Sequence, residues 1–350
     1  MTKKKTAIKK KAETAKRVGT AKAAQAAKKA EIRKKPELEK QAETRKRAKA
    51  KGKVRVTGQD AHSAVGLPQT RDPLPDASVQ EAGGAAEVLD TRAFVPDASV
   101  IAWLIAVGAA GGAVSADRVM LIDGLVKSLK GCGVWDRLDR LWVFAAENRA
   151  QALIDLVGLD QATTVNEPLF IADLGYAFDG STQYIDTGFD AAAASAPRYS
   201  RNSASFGGVV FAGATIIGVE FGNDYSAYSM LTTRYSTTRR FQVNSATDSA
   251  EKIPHNERFV GHFHGQRSAE NLAELFLDGV LQGSSPEPSS QVPARTFFVG
   301  AGRWARGPGN FSDASISTAH VGGSFSPDQV GQFDTAIRSY LSSIAPPPSP

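Results

Sequence analysis

The spacing of apolar residues changes along this chain, and the change divides it. Between residues 93 and 168 apolar positions recur every three or four residues, and after Pro168 they alternate with polar ones. The first pattern is helical, the second that of half-buried strands. Asp97 or Ser99 can cap a helix whose apolar face is Val100, Ile101, Leu104 and Ile105, and Gly108 with the Gly111-Gly112 pair stops it. A second helix starts at Ser115, carries Val119, Ile122, Val126 and Leu129 on one side, and meets Gly131 where a left-handed C-cap residue is wanted. Trp135, Leu138, Leu141 and Trp142 continue the helical spacing. The stretch predicts a small helical subdomain over 93–168, packed on its own aromatics or on the edge of a sandwich.

Beyond Pro168 the alternation predicts strands at 174–178, 183–187, 205–211, 215–221, 227–235, 239–244, 259–266, 273–277 and 296–299, with turn residues between them. Asp179-Gly180 and Asp278-Gly279 stand between apolar strand residues, where Gly takes positive φ and Asp tolerates it. A last strand at 314–321 precedes Ser326-Pro327-Asp328-Gln329, in which Ser caps, Pro takes the first helical position and Gln completes a capping box. The helix so begun presents Val330, Phe333, Ile337 and Leu341 and runs to Ile344. The expected fold class is therefore mainly β, an antiparallel sandwich over 169–345, preceded by the helical module.

Charge changes the picture upstream. Residues 1–53 hold 21 Lys and Arg against 5 Asp and Glu, a net of +16, and the remainder holds 21 against 31, a net of −10. The first block has no aromatic residue and few aliphatic ones, so it cannot bury enough apolar surface to offset chain entropy. It is expected to be a basic arm, disordered or conditionally helical, that contacts nucleic acid or an acidic protein surface. Without aromatics to stack on bases, its contact with nucleic acid would be electrostatic and sequence-blind. Residues 54–92, rich in Gly, Pro, Ala and Ser, read as a flexible linker, and 346–350 as a Pro-rich tail.

One cysteine, Cys132, excludes an intrachain disulfide framework and fits a reducing compartment. Met1 is followed by charge, so no export signal is expected. The longest apolar run falls far short of the roughly 20 residues that cross a bilayer.

The stretch 175–341 resembles laminin-G and concanavalin A-like lectin domains. The resemblance is carried by Ala177-Phe178-Asp179-Gly180-Ser181 with Tyr184-Ile185-Asp186, by Leu275-Phe276-Leu277-Asp278-Gly279-Val280, and by Phe298-Val299-Gly300 with the later Phe325-Ser326-Pro327-Asp328-Gln329-Val330. The helical preface, with Gly131-Cys132-Gly133-Val134-Trp135-Asp136, is similar to one that precedes lectin-like sandwiches in bacteriophage and prophage structural proteins. This implies a jelly-roll fold and a place on a virion, as a tail, fibre or head appendage protein made in the bacterial host. The implied partners are other virion proteins and host-surface glycans, and self-association is expected.

Candidate chemistry is sparse. The same jelly-roll shape hosts glucanases, which need paired carboxylates on one strand face; no E-x-D-x-x-E spacing occurs, and Asp186, Asp190, Glu220, Asp224, Glu270 and Glu274 are scattered. No catalytic residue is assigned. His262 and His264 share a strand face, a spacing that two zinc ligands can use, with His255 or His320 as a third. Asp224 and Asp278 are the candidates for calcium, and no other cofactor is expected. For glycan binding the candidates are Arg303, Trp304 and Arg306 on one loop and Tyr225 with Tyr228 on another, since an aromatic face beside a guanidinium can hold a sugar ring and its hydroxyls. The leading expectation is a non-enzymatic virion adhesion protein. A nucleic-acid-associated protein acting through its arm and a polysaccharide-degrading enzyme are the alternatives.

Overall fold

The computed structural model describes residues 94–193, 196–213, 216–221, 227–235, 238–246, 251–254, 259–304 and 306–344; for 216–221, 235, 251–254 and 304 the description is of the backbone alone. The arm at 1–53, the linker at 54–92, the tail at 346–350, and Asp224, Tyr225 and His255 lie outside the described residues.

Two helices open the described chain, α1 (Ala98–Ala109) and α2 (Ala116–Gly131). The side chain of Asp97 caps the first by accepting from the Ser99 N–H, and Ser115 caps the second by accepting from the Arg118 N–H. The left-handed residue that ends α2 is Gly133, at φ 70°, two positions beyond the expected Gly131. After a single 3-10 turn at Trp135–Arg137 the chain does not continue as helix. Leu138–Val143 is a strand, β1, in place of the helical continuation that Trp135, Leu138, Leu141 and Trp142 suggested. All six of its residues are buried: Trp142 joins one core while Leu138, Leu141 and Val143 join another. A strand covered on both faces shows no polar alternation, so its apolar spacing resembled that of a helix.

A short helix, α3 (Arg149–Leu153), comes next, and then β2 (Thr163–Val165), β3 (Leu169–Ile171), β4 (Gly175–Ala177), β5 (Tyr184–Asp190), β6 (Ala204–Ala212), β7 (Ile216–Phe221), β8 (Ala227–Tyr235), β9 (Thr238–Ser245), β10 (Glu251–Pro254), β11 (Gly261–Ala269), β12 (Leu272–Leu277), β13 (Val280–Ser285), β14 (Thr296–Val299), β15 (Gly302–Trp304), β16 (Gly307–Gly309), β17 (Ser315–Gly322) and a last helix, α4 (Pro327–Ile344). Among the described residues these strands form two sheets. The eight-stranded sheet runs β13-β12-β11-β6-β17-β4-β3, with β1 also on β17. The nine-stranded sheet runs β10-β9-β8-β7-β14-β5-β2, with the β15–β16 hairpin attached to β7. Pairing is antiparallel except for β15 on β7. The fold is a mainly β antiparallel sandwich with a small helical module, and β1 carries the sandwich upstream of Pro168.

Two layers of apolar side chains hold it together. Between the sheets lie Ile185, Phe189, Phe206, Leu231, Phe241, Phe263, Leu275 and Phe297. On the outside of the eight-stranded sheet, Val209 and Phe276 meet Trp103 of α1, Ile122 and Leu129 of α2, and Phe333 and Ile337 of α4. Each such side chain contributes about 1.5–3 kcal/mol on leaving water. At the head of α4 the capping box forms as expected: the Gln329 N–H donates to Ser326 Oγ at 3.2 Å, and the Ser326 N–H donates to Gln329 Oε1 at 3.0 Å. Asp278-Gly279 turns β12 into β13 with φ of 51° and 76°. No described helix is long and apolar enough to cross a membrane.

Candidate functional site

With the helices on one sheet, the broad outer face left is that of the nine-stranded sheet, and strand alternation decides which side chains reach it. Phe297 and Val299 enter the inter-sheet core, so Phe298 faces outward. Ile185 and Phe189 do the same on β5 and leave Tyr184 and Asp186 outward; Phe241 and Val243 on β9 leave Gln242 outward. Backbone register then aligns Thr163, Asp186, Phe298, Gly218, Met230 and Gln242 across six strands.

Around Phe298 the face becomes specific. The Tyr184 ring lies 4.6 Å from the Phe298 ring, and Phe311 lies 6.3 Å from Tyr184, centroid to centroid. Arg303 sets its guanidinium carbon 5.2 Å from the Phe298 centroid. Phe298 is 3% exposed and forms the floor, while Tyr184, Asp186, Arg303 and Phe311 are partly exposed around it. The chain reaches β15 by turning at Gly300, whose φ is 86° and where a Cβ would lie 2.7 Å from the Phe178 ring. The turn therefore needs glycine on both conformational and packing grounds. The Arg303 side chain makes no hydrogen bond among the described residues, and because its Nε is buried the Nη groups are the donors left for a ligand. Asp186 Oδ1 accepts from the Gly188 N–H at 3.0 Å, which leaves lone pairs for a hydroxyl.

The expected glycan residues fall partly on this face. Arg303 and exposed Arg306 belong to the β15–β16 hairpin region; Trp304 lies on β15, its side chain outside the described set. Tyr228 is not on a loop but on β8, facing outward and 1% exposed. Tyr184, Phe298 and Phe311 were not singled out as binding residues. The signal for the first two was available, since each is an outward position between inward neighbours on adjacent strands.

The histidines form a different site. His262 and His264 on β11 and His320 on β17 face outward from the eight-stranded sheet and are covered by α4, where Phe333 lies 5.0 Å from His262 and 4.8 Å from His320. Gln266 fixes the protons. Its Nε2 donates to Glu274 and its Oε1 accepts from the Phe325 N–H, so His264 Nε2–H donates to that same oxygen at 3.2 Å. His264 Nδ1 is then an acceptor, and His320 Nε2–H donates to it at 2.9 Å. His262 Nδ1 pairs with Asp334 Oδ1 at 3.2 Å. Burial pushes the His264 value down to about 3 and the His320 value well below the ordinary one, with neighbouring imidazoles adding to both shifts. His264 and His320 are neutral packing groups. Asp278 accepts from the His262 N–H at 2.9 Å and faces Arg338 at 4.0 Å. Among the described residues no three His, Cys, Asp or Glu side chains are arranged to hold a metal ion.

The chain matches no protein-family model and no curated relative. Among solved structures it is similar to domain 4 of AbnA, an extracellular arabinanase of Geobacillus stearothermophilus in complex with arabinotriose, at 17% identity over 57% of this chain and 98% of that one, with a TM-score of 0.40. It is similar also to a mutant Trypanosoma rangeli sialidase with trans-sialidase activity, at 11% identity over 65% of this chain and 40% of that one, TM-score 0.42. A third is the binding domain of botulinum neurotoxin serotype G, at 12% identity over 58% of this chain and 51% of that one, TM-score 0.42. The chain spans only about half or less of the last two. What it binds has to be argued from its own residues.

Proposed function

We propose that this protein is a non-enzymatic, lectin-like adhesion module that binds carbohydrate on the outer face of its nine-stranded sheet. The observation that carries this reading is the partly exposed ring of Tyr184, Asp186, Arg303 and Phe311 around the buried floor of Phe298. Aromatic faces pack on the C–H side of a sugar ring, while a guanidinium with unused donors and a carboxylate hydrogen-bond its hydroxyls. Asp186 and Asp190 are the carboxylates of β5, and each accepts from a nearby backbone N–H, Gly188 at 3.0 Å and Ala192 at 2.9 Å.

The carriage of this module on a phage or prophage virion is part of the same proposal, with residues 1–53 as its attachment. Their net charge of +16 suits an acidic surface of the particle or its nucleic acid. A glycan array probed with the full chain tests the reading, alongside Arg303→Ala and Tyr184→Ala. Retention of a glycan by the parent and its loss by both variants supports adhesion at this face. Release of reducing sugar from a bound glycan would replace it with an enzymatic reading. Silence on the array together with salt-sensitive retention on DNA would turn the function over to the basic arm.

A further inference from the structure

We propose that a second binding groove, at the seam between the helical module and the sandwich, takes the carboxylate of an acidic sugar through Arg137 and Arg198. It uses none of the residues of the sheet face and stands independently of that reading. The groove measures about 530 Å³ and is lined by Asp136, Arg137, Arg198, Ser200, Ser203 and Gln329, among others. That volume lies within the range usual for small-molecule sites, about 300–1,000 Å³.

Three separate segments form its walls, and hydrogen bonds fix each one. The Gly323 N–H donates to the Arg137 carbonyl at 2.8 Å. The N–H groups of Arg198 and Tyr199 donate to the two carboxylate oxygens of buried Asp139 at 3.1 and 2.8 Å. Ser203 Oγ accepts from the Ser324 N–H at 3.1 Å, and Gln329 is held in the capping box. A Cβ at Gly323 would stand 3.0 Å from the Arg198 carbonyl, so the walls approach as closely as backbone allows. The backbone of these walls is fixed before any ligand arrives, while the exposed Arg137 side chain is ordered on binding.

The Arg198 guanidinium is held by a hydrogen bond, while the Arg137 side chain is exposed. Arg198 Nε donates to the Asp136 carbonyl at 3.0 Å, which aims the rest of its fork away from that wall. Neither Arg198 nor Arg137 forms an ion pair with a carboxylate among the described residues, and the Arg137 side chain makes no hydrogen bond there. Two unpaired guanidinium groups in one polar groove match the paired oxygens of a carboxylate. The Asp136 carboxylate, on the same groove, brings the four groups to a net charge of zero once buried Asp139, which feels the Arg198 charge, is counted, so recognition there rests on the guanidinium forks and not on net charge. It also supplies acceptors for sugar hydroxyls, as the serines supply both donors and acceptors.

Calorimetric titration of the full chain tests this, with a trisaccharide ending in glucuronate, its methyl ester and its neutral glucose counterpart as probes. The expected result is saturable binding of the glucuronate, weakened at least about tenfold in the ester and the neutral sugar, a difference of about 1.4 kcal/mol. The Arg137→Ala, Arg198→Ala double variant should lose at least as much while keeping the parent melting temperature, and Arg198→Lys should fall between. Arg303→Ala should bind the glucuronate as the parent does, which separates this groove from the sheet face. Equal binding of acid and ester, unchanged binding by the double variant, displacement by equimolar inorganic sulfate, or no saturation up to about 10 mM each overturns the assignment.

Discussion

His320 donates its Nε2–H to His264 Nδ1 across 2.9 Å, and the two rings stack at 5.1 Å with only 10° between their planes. Both are neutral and fully covered, and α4 lies over them with Phe333 against His320.

This pair makes stability fall in acid. The folded values of both histidines lie below the ordinary 6.5. Their contribution is therefore complete above about pH 6.5 and is lost as pH drops from there toward the folded value of His264, about 3. At pH 4.5 one such group costs on the order of 2–3 kcal/mol, two units at about 1.4 kcal/mol each. Asp155, raised by burial to about 6, acts in the opposite sense between its unfolded value of 3.8 and 6. The difference between parent and His320→Phe isolates the histidine part. Urea midpoints from pH 8 to 4.5 should show a shallower acid loss in the variant, and parallel curves would contradict the neutral pair.

Phe298 and Tyr184 should separate when each is truncated. Phe298→Ala removes a floor residue that is 3% exposed and should cost about 3–5 kcal/mol of folding stability. Tyr184→Ala, at the rim, should leave the melting temperature nearly unchanged while weakening glycan binding. Calorimetric melts beside array binding read both effects, and an equal loss of stability in the two variants would make Tyr184 a packing residue only.

The two-way cap at α4 predicts a further loss. Ser326→Ala removes the acceptor of the Gln329 N–H and should cost about 1 kcal/mol, whereas Ser326→Asp should restore most of it. Chemical denaturation checks the pair of variants together.

At the centre of the eight-stranded sheet a Cβ on Gly207 would stand 2.0 Å from the Phe263 carbonyl and 3.0 Å from the His320 ring. Gly207→Ala should therefore destabilise by about 1–3 kcal/mol or more, because backbone rather than a flexible side chain has to move. A melting temperature within error of the parent would show that β6 and β11 can part without cost.

Much of this fold was legible where one strand face is dry and the other wet. The strands expected at 227–235 and 296–299 coincide with β8 and β14, and the Asp278-Gly279 turn and the Ser326–Gln329 box appear where turn and cap chemistry put them. Leu138–Val143 was illegible because it is buried on both faces and its Trp142 and Leu141 serve different cores. The short β15–β16 hairpin, with Gly302, Gly307 and Gly309, reads as loop in any propensity. Of the candidate binding face, Arg303 stood out by its chemistry. Tyr184 and Phe298 did not, because depth and cross-strand register, not residue type, make one a rim and the other a floor.

The pairing of Leu138 with Gly322 ties the first described strand to the last. Strand β1 has β17 as its partner, and Arg118 of α2 binds the Tyr340 hydroxyl across 222 residues of chain. On the ribosome the helical module emerges early, yet β17 of its covering sheet and its companion helix α4 are the last of the described elements to be synthesised. Until then the Trp103, Ile122 and Leu129 surface has no complete counterpart. Long closures of this kind slow folding and leave apolar surface waiting. The docking of β17 and α4 is thus the step that seals both ends of the described fold at once.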